Sequence, residues 1–416
     1  MKLKSLLLAG GALLTGTAAS AGGYQVTLAG QKNNGMGGVG VGLSLDQAAM
    51  FYNPGALALV KQRGVQLGAN ITLARQAFVA EGSSTQRELR NSIVTPFNFY
   101  ASFGPAEGKF RAGIAVYTPF GSKLQYAEGW EGRTALTDID LKSIYVQPTV
   151  SYAITDQLSI GAGLTVLAFG SVNLQRDIPF PDSFGRIELD GDAERKIGFN
   201  AGIFFKPSEK LSVGINYRSK IDAEVKDGDV TYRNVPAAFQ SRFEATKFNA
   251  TLPLVATTSI GIGIMPNENL TIGLDANYAE WSAYKTLDFT FDKQINGQTT
   301  SSSKRFYEDA LTFRLGGQYK LTSGLTVRAG GSYDFSPVKD GYVTPETPDA
   351  DRIGATLGAS YAFGEKFSLD LSGQFVSLEK RSQTQAELVN NGTTDRIAGT
   401  YKTTIVIPGL GLNYNF

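Results

Sequence analysis

The chain has 416 residues, with 48 Gly, 15 Pro, no Cys and no His, and a net charge of +1. Near-neutral charge argues against a nucleic-acid partner. Without His the usual general base of a hydrolase is missing, and without His or Cys a transition metal lacks its usual ligands, so neither an enzyme nor a metal or other cofactor is expected.

In chain order, the first feature is a secretory signal. Lys2 and Lys4 precede a short apolar core from Leu6 to Leu14, and Ala19-Ser20-Ala21 is a small-x-small cleavage site. That core is too short to span a bilayer. Residues 1–21 are therefore read as a signal peptide, with the mature chain starting at Gly22. Export without cysteine means that something other than a disulfide framework closes the fold.

Residues 22–62 do not alternate. They are Gly-rich (Gly35, Gly37, Gly38, Gly40, Gly42) and lead into an amphipathic piece, Ser44 to Tyr52, that ends at Asn53-Pro54-Gly55. Ser44 is placed to cap a short helix and Pro54 to end it. A disordered tail, a clasp outside the fold and a plug inside it are the three fates open to such a segment. Met50, Phe51, Tyr52, Leu57, Leu59 and Val60 make it too apolar for a typical tail.

From residue 63 onward the sequence repeats a turn followed by an alternating run. Thr155-Asp156-Gln157-Leu158, Pro207-Ser208-Glu209-Lys210-Leu211, Pro266-Asn267-Glu268-Asn269-Leu270, Thr322-Ser323-Gly324-Leu325 and Gly364-Glu365-Lys366-Phe367 are the clearest copies. After the first of these, Leu158, Ile160, Ala162 and Leu164 share one face and Ser159, Gly161, Gly163 and Thr165 the other. That is the strand period. A small, polar second face suits a barrel interior, and mean hydropathy of −0.11 is no objection, because only every second residue of a barrel strand meets lipid.

The spacing predicts an all-β fold, a transmembrane antiparallel β-barrel of about fourteen strands occupying 63–416. The strand spans are 64–80, 94–104, 109–119, 140–154, 157–173, 192–206, 210–225, 242–265, 269–292, 305–321, 324–336, 351–363, 366–381 and 398–416. Long loops are expected at 81–93, 120–139, 174–191, 226–241, 293–304, 337–350 and 382–397, on the outside, with short turns facing the periplasm. Leu410, Leu412, Tyr414 and Phe416 give the last strand a lipid face ending in an aromatic, similar to the signal read by the barrel-assembly machinery. A barrel of this size has a lumen that needs filling, which favours 22–62 as a luminal plug, or hatch.

Several phrases, in this order, resemble the FadL family of outer-membrane transporters for long-chain fatty acids and other hydrophobic compounds. They are Gly22-Gly23-Tyr24-Gln25, Asn53-Pro54-Gly55 (where the family usually has Asn-Pro-Ala), Tyr117-Thr118-Pro119-Phe120-Gly121 and Trp130-Glu131-Gly132-Arg133. Further along stand Leu252-Pro253-Leu254, Trp281-Ser282-Ala283-Tyr284, Tyr333-Asp334-Phe335-Ser336-Pro337 and Thr347-Pro348-Asp349-Ala350-Asp351-Arg352. The resemblance implies a fourteen-stranded barrel with an N-terminal hatch, capture of a hydrophobic solute at outer loops, a tighter luminal site, and sideways exit through a kink in the third strand. A monomer set in outer-membrane lipid and lipopolysaccharide is expected.

It also implies cations for a carboxylate near the top of the fifth strand and the start of the tenth, where Arg176 and Lys304 or Arg305 stand. Phe180, Phe184, Trp130, Phe239 and Phe243 are candidates for the capture groove, and Tyr24 and Phe51, with Asn53, Pro54 and Gly55, for the hatch. Pro119 and Phe120 mark the kink, since proline gives no donor to a ladder. Gln147-Pro148 adds a second missing donor facing that region. A general porin and a structural or adhesive barrel are the competing readings. A porin would start its first strand almost at the mature terminus, so 22–62 discriminates.

Overall fold

The computed structural model describes residues 23–90, 93–105, 108–393 and 395–416, so the signal segment lies outside the described residues. Its 24 strand segments form one sheet; 22 of them, joined where they follow one another across a bulge or break, make 14 wall strands, and the short segments Gln86–Glu88 and Arg381–Gln383 pair beside them in the loops. These are β1 (Gly64–Asn70 with Thr72–Ala80), β2 (Ile93–Val94 with Phe97–Phe103), β3 (Phe110–Tyr117 with Gly121–Gln125), β4 (Asp138–Ala153) and β5 (Leu158–Phe180). Next come β6 (Ser183–Asp192 with Lys196–Ser208), β7 (Leu211–Arg218 with Ile221–Arg233), β8 (Lys247–Leu254 with Thr257–Ile264) and β9 (Leu270–Ala279 with Thr286–Ile295). The rest are β10 (Gln298–Lys304 with Ala310–Lys320), β11 (Leu325–Asp334), β12 (Arg352–Phe363), β13 (Phe367–Leu378) and β14 (Gly399–Asn415).

Each strand pairs antiparallel with the next. β14 returns to β1, from Gly64 opposite Asn415 to Ala80 opposite Gly399, so the ring is closed. Closure removes the free edges that an open sheet would leave in lipid. Leu67, Ile114, Leu164, Ile203, Ile260, Leu315, Leu357 and Leu410 point outward and exposed, while Gln66, Asn98, Ser159, Asn200, Asp275, Thr356 and Asn413 are buried inside. Apolar out and polar in reverses the arrangement of a water-soluble domain.

Two of the expected loops are almost wholly strand instead, and 120–139 contains Gly121–Gln125 of β3. Residues 174–191 continue β5 into β6 as a tight hairpin, Ser183 opposite Phe180, and 293–304 form the hairpin of β9 and β10. These extensions have a core of their own: Ile187, Leu189, Val225, Val230 and Phe248 are buried together. Of the expected loop 226–241, residues up to Arg233 also belong to β7, and β8 starts at Lys247 rather than 242.

The segment from Gly23 to Val60 lies against the inward face of the wall. It contains α1 (Gln31–Asn34), α2 (Ala49–Tyr52) and a 3-10 turn, Pro54–Leu59. The expected helix from Ser44 is only its last turn. Asp46 rather than Ser44 turns the chain into it, its Oδ1 accepting from Ala48 N at 3.0 Å. Asn53 then ends the helix: its Oδ1 accepts from Gly55 N at 2.9 Å, and its Nδ2 donates to Val41 O and Ile203 O at 3.0 Å each.

Luminal glycines make room for this segment. A Cβ on Gly316 would stand 1.9 Å from the Met36 carbonyl oxygen, and one on Gly214 would stand 1.9 Å from that of Val41. Gly55 is fitted the same way, since a Cβ there would lie 2.8 Å from Gly202 O. Alanine in the family's usual place would press on wall backbone here.

Candidate functional site

The wall is interrupted within β3, between its two pieces. The lower piece of β3 pairs with both neighbours, Tyr117 opposite Asn98 on β2 and opposite Tyr145 on β4. Among the described residues the ladder of the upper piece is with β4, Gly121 opposite Lys142, with Arg90 N donating to Gln125 O at 2.8 Å on its other side, while Ile93–Val94 of β2 pairs with β1. Between them Thr118, Pro119 and Phe120 leave the ladder. Pro119 has no N–H to give. Phe120 bonds to a side chain, its N–H donating to Ser143 Oγ at 3.1 Å and its C=O accepting from that hydroxyl at 2.6 Å. Pro148 does not contribute as expected. It stays in register opposite Ile114 of β3 and interrupts the pairing with β5, between Val146 and Thr149.

The freed edge of β3 is taken by the start of the chain. Val26 N donates to Pro119 O at 2.7 Å, Gly121 N donates to Tyr24 O at 3.0 Å, and Gln25 bridges Phe120. An Asp349–Arg352 pair holds this segment at its tip. Gly23 N donates to Asp349 Oδ2 and Arg352 Nη2 donates to Gly23 O, each at 3.0 Å.

Tyr24 is buried in an aromatic cluster, 4.8 Å from Trp281 edge-on and 6.0 Å from both Phe120 and Tyr284, with its hydroxyl donating to Pro253 O at 2.5 Å. Beside the segment lies a cavity of about 660 Å³. Its lining runs from luminal Gln76, Arg314 and Thr403, past Tyr24–Leu28, to Ile93 and Phe169 on the outer face. The lining thus includes residues of both the inner and the outer face of the wall beside the break.

A second cavity of about 400 Å³ lies among the hairpins at the loop end, lined by Arg176, Phe180, Phe239, Arg242, Phe243 and Phe291 among others. The rings of Phe180 and Phe239 are 5.1 Å apart, and those of Phe180 and Phe243 are 5.8 Å apart. Three expected groove aromatics thus meet, with a cation beside them. Phe184 and Trp130 do not join them. Phe184 is exposed under the Arg133 guanidinium, 3.9 Å from its ring centroid. Trp130 is fully buried, stacked 3.9 Å from Tyr126, with Nε1 donating to Leu136 O at 2.8 Å.

The three expected cations have different fates. Arg305 is buried and bonded to Glu346 at 2.5 Å. Lys304 is exposed and donates to Asn391 O at 3.2 Å, at the end of a loop helix, α3 (Gln385–Asn391). Arg176 forms no ion pair among the described residues. Phe51 packs edge-on against Tyr117 at 5.1 Å, low in the lumen.

Sequence reasoning gave no role to Trp281, Tyr284, Asp349 or Arg352, although their phrases carry the family resemblance. Glu346, Arg314 and Arg218 left no signal, because what identifies them is a partner far along the chain.

The family model for "Outer membrane protein transport protein (OMPP1/FadL/TodX)" matches residues 12–416. The chain belongs to this family. It is an outer-membrane β-barrel transport protein. It is 24% identical over 323 residues to a long-chain fatty acid transport protein of Escherichia coli O6:H1, covering 68% of this chain and 70% of that one. Its fold is similar to that of a Pseudomonas aeruginosa FadL homologue, with a TM-score of 0.82 at 21% identity over 95% of this chain and 100% of the other. It is also similar to that of the Ralstonia pickettii toluene transporter TbuX, with a TM-score of 0.70 at 18% identity over 93% and 98%. At such identities the likeness to solved structures is one of fold.

Proposed function

We propose that this protein takes up hydrophobic compounds, long-chain fatty acids or hydrocarbons, by passive diffusion, and releases them sideways into the outer membrane. Residues 22–62 act as the hatch and 63–416 as the wall, with the loop end outside and the short turns in the periplasm. The solute is caught in the Phe180–Phe239–Phe243 groove beside Arg176, passes Tyr24 into the larger cavity, and leaves between β2 and β3. The observation that supports this reading is the cavity beside the break at Pro119, whose lining includes residues of both faces of the wall.

The physical logic is that of partition. Polar lipopolysaccharide obstructs an apolar solute, and an exit into hydrocarbon spares it a passage through water. A vertical pore would release it into water at about 25 cal/mol for each Å² of apolar surface re-exposed. The protein works as a monomer, delivered by the barrel-assembly machinery, and no chemistry is performed on the solute.

Removing residues 23–30 tests the hatch directly. The shortened protein should still migrate as a folded, heat-modifiable barrel, while uptake of a hydrophobic probe by cells lacking other carriers falls severalfold. Unchanged uptake would remove the hatch from the account.

A further inference from the structure

Several buried arginines lie outside both cavities, among them Arg111, Arg328 and Arg218. Arg218, at the end of the first segment of β7, is 6% exposed and has no carboxylate within ion-pair distance among the described residues. Its acceptors come from three other places in the fold. Nη1 donates to the hydroxyl of Tyr117 on β3 and to Gln147 Oε1 of β4 at 3.1 Å, and Nη2 donates to the carbonyl of Phe51 in α2 at 3.1 Å. The guanidinium also lies 4.9 Å from the Phe51 ring centroid and 5.4 Å from that of Tyr117. Gln147 completes the tie, accepting from the Tyr117 hydroxyl at 2.6 Å and donating to Met50 O at 2.7 Å.

The place of this cluster matters. Tyr117 is the last residue of β3 paired on both sides before the break, and the cavity's lining on β3 and β4 stops just above the Tyr117–Tyr145 pair, at Thr118 and Ile144. Phe51, Tyr117, Tyr145, Gln147 and Arg218 therefore form the layer directly under the passage, with the Tyr117 and Tyr145 rings 5.9 Å apart.

A buried ion without a counter-ion is costly, and an apolar side chain of similar volume often serves stability better. What an arginine offers instead is a rigid fork that fixes several acceptors at once. We propose that Arg218 is a positioning residue that latches the hatch to the wall just below the break, so that the passage opens sideways and stays shut toward the turn end. The latch rests on the hatch reading above.

The experiment uses the full-length protein in planar bilayers, with ion conductance as the readout and heat-modifiable migration as the check on folding. Arg218→Met should keep the barrel folded while conductance rises at least roughly tenfold, the change in closed-to-open ratio expected from losing even one of its three charge-assisted hydrogen bonds. Arg218→Lys, with a single donor head, should fall between Arg218→Met and the wild type. Tyr117→Phe removes only the shared hydroxyl and should also raise conductance. Combined with Arg218→Met it should add little, because both act on one latch. If Arg218→Met fails to fold, Tyr117→Phe carries the test alone. Wild-type conductance in the folded variants, even with a lowered melting temperature, would assign Arg218 to stability and overturn the latch. A failure of the hatch reading would show elsewhere, as unchanged uptake after loss of residues 23–30.

Discussion

Lys304 and Arg305 are neighbours in sequence, yet their side chains have opposite surroundings. Both Arg305 N and Phe306 N donate to Lys285 O, at 2.7 and 3.0 Å, and Phe306 takes a positive φ of 45°. That irregular step turns Arg305 inward onto Glu346 and leaves Lys304 outside. Nothing in the sequence links Arg305 to an acid 41 residues later in a loop, so its neutralisation was not legible. Arg176, which forms no ion pair among the described residues, lines the cavity beside the aromatic groove. Arg176→Ala should therefore weaken binding of a long-chain acid roughly tenfold, the scale of one charged hydrogen bond, and leave a hydrocarbon of similar length nearly unaffected. Fluorescence titration of both ligands measures this, and equal losses would deny Arg176 a role toward the carboxylate.

At the scale of elements, the wall was largely legible because alternation is enforced by lipid on one side and a polar lumen on the other. The signal faded where those solvents end. The run Gln298–Lys304 is Thr/Ser-rich and reads as a loop, but it is held as strand by β9. The Gly23–Val60 segment, proposed as the hatch, offered no period at all, because its path is set by contacts with the wall. Its fit depends on glycines that a sequence shows only as an excess of Gly. Gly316→Val would drive a side chain into the Met36 carbonyl, which an unmodified Gly316 meets with no room to spare. Overpacking of this sort costs about 1–3 kcal/mol, and here the hatch yields more easily than a hydrogen-bonded wall. The variant should run as a folded barrel and yet lose protection of residues 36–43 in hydrogen exchange. Wild-type protection there would show that the hatch does not depend on this cradle.

For the whole molecule, the ring closed by β14 on β1 divides space into lipid, lumen and two aqueous ends, and the break at Pro119 is where lumen and lipid approach each other. The kink could be anticipated from a proline in the third strand. That the chain's own Tyr24–Val26 segment would take up the freed edge could not, because that pairing joins residues about ninety-five positions apart. Solute is proposed to cross the wall at this place, and the absence of native cysteine permits a direct measurement. Ile93→Cys puts a single thiol on the outer rim of the cavity, where the native side chain is 61% exposed, and Leu357→Cys puts one on a distant, equally lipid-facing part of β12. Each is coupled to a bulky maleimide, and uptake of a hydrophobic probe is compared before and after. Modification at position 93 should reduce uptake to near the level of cells without the protein, while modification at position 357 leaves it unchanged. Full uptake through a protein blocked at position 93 would contradict lateral release.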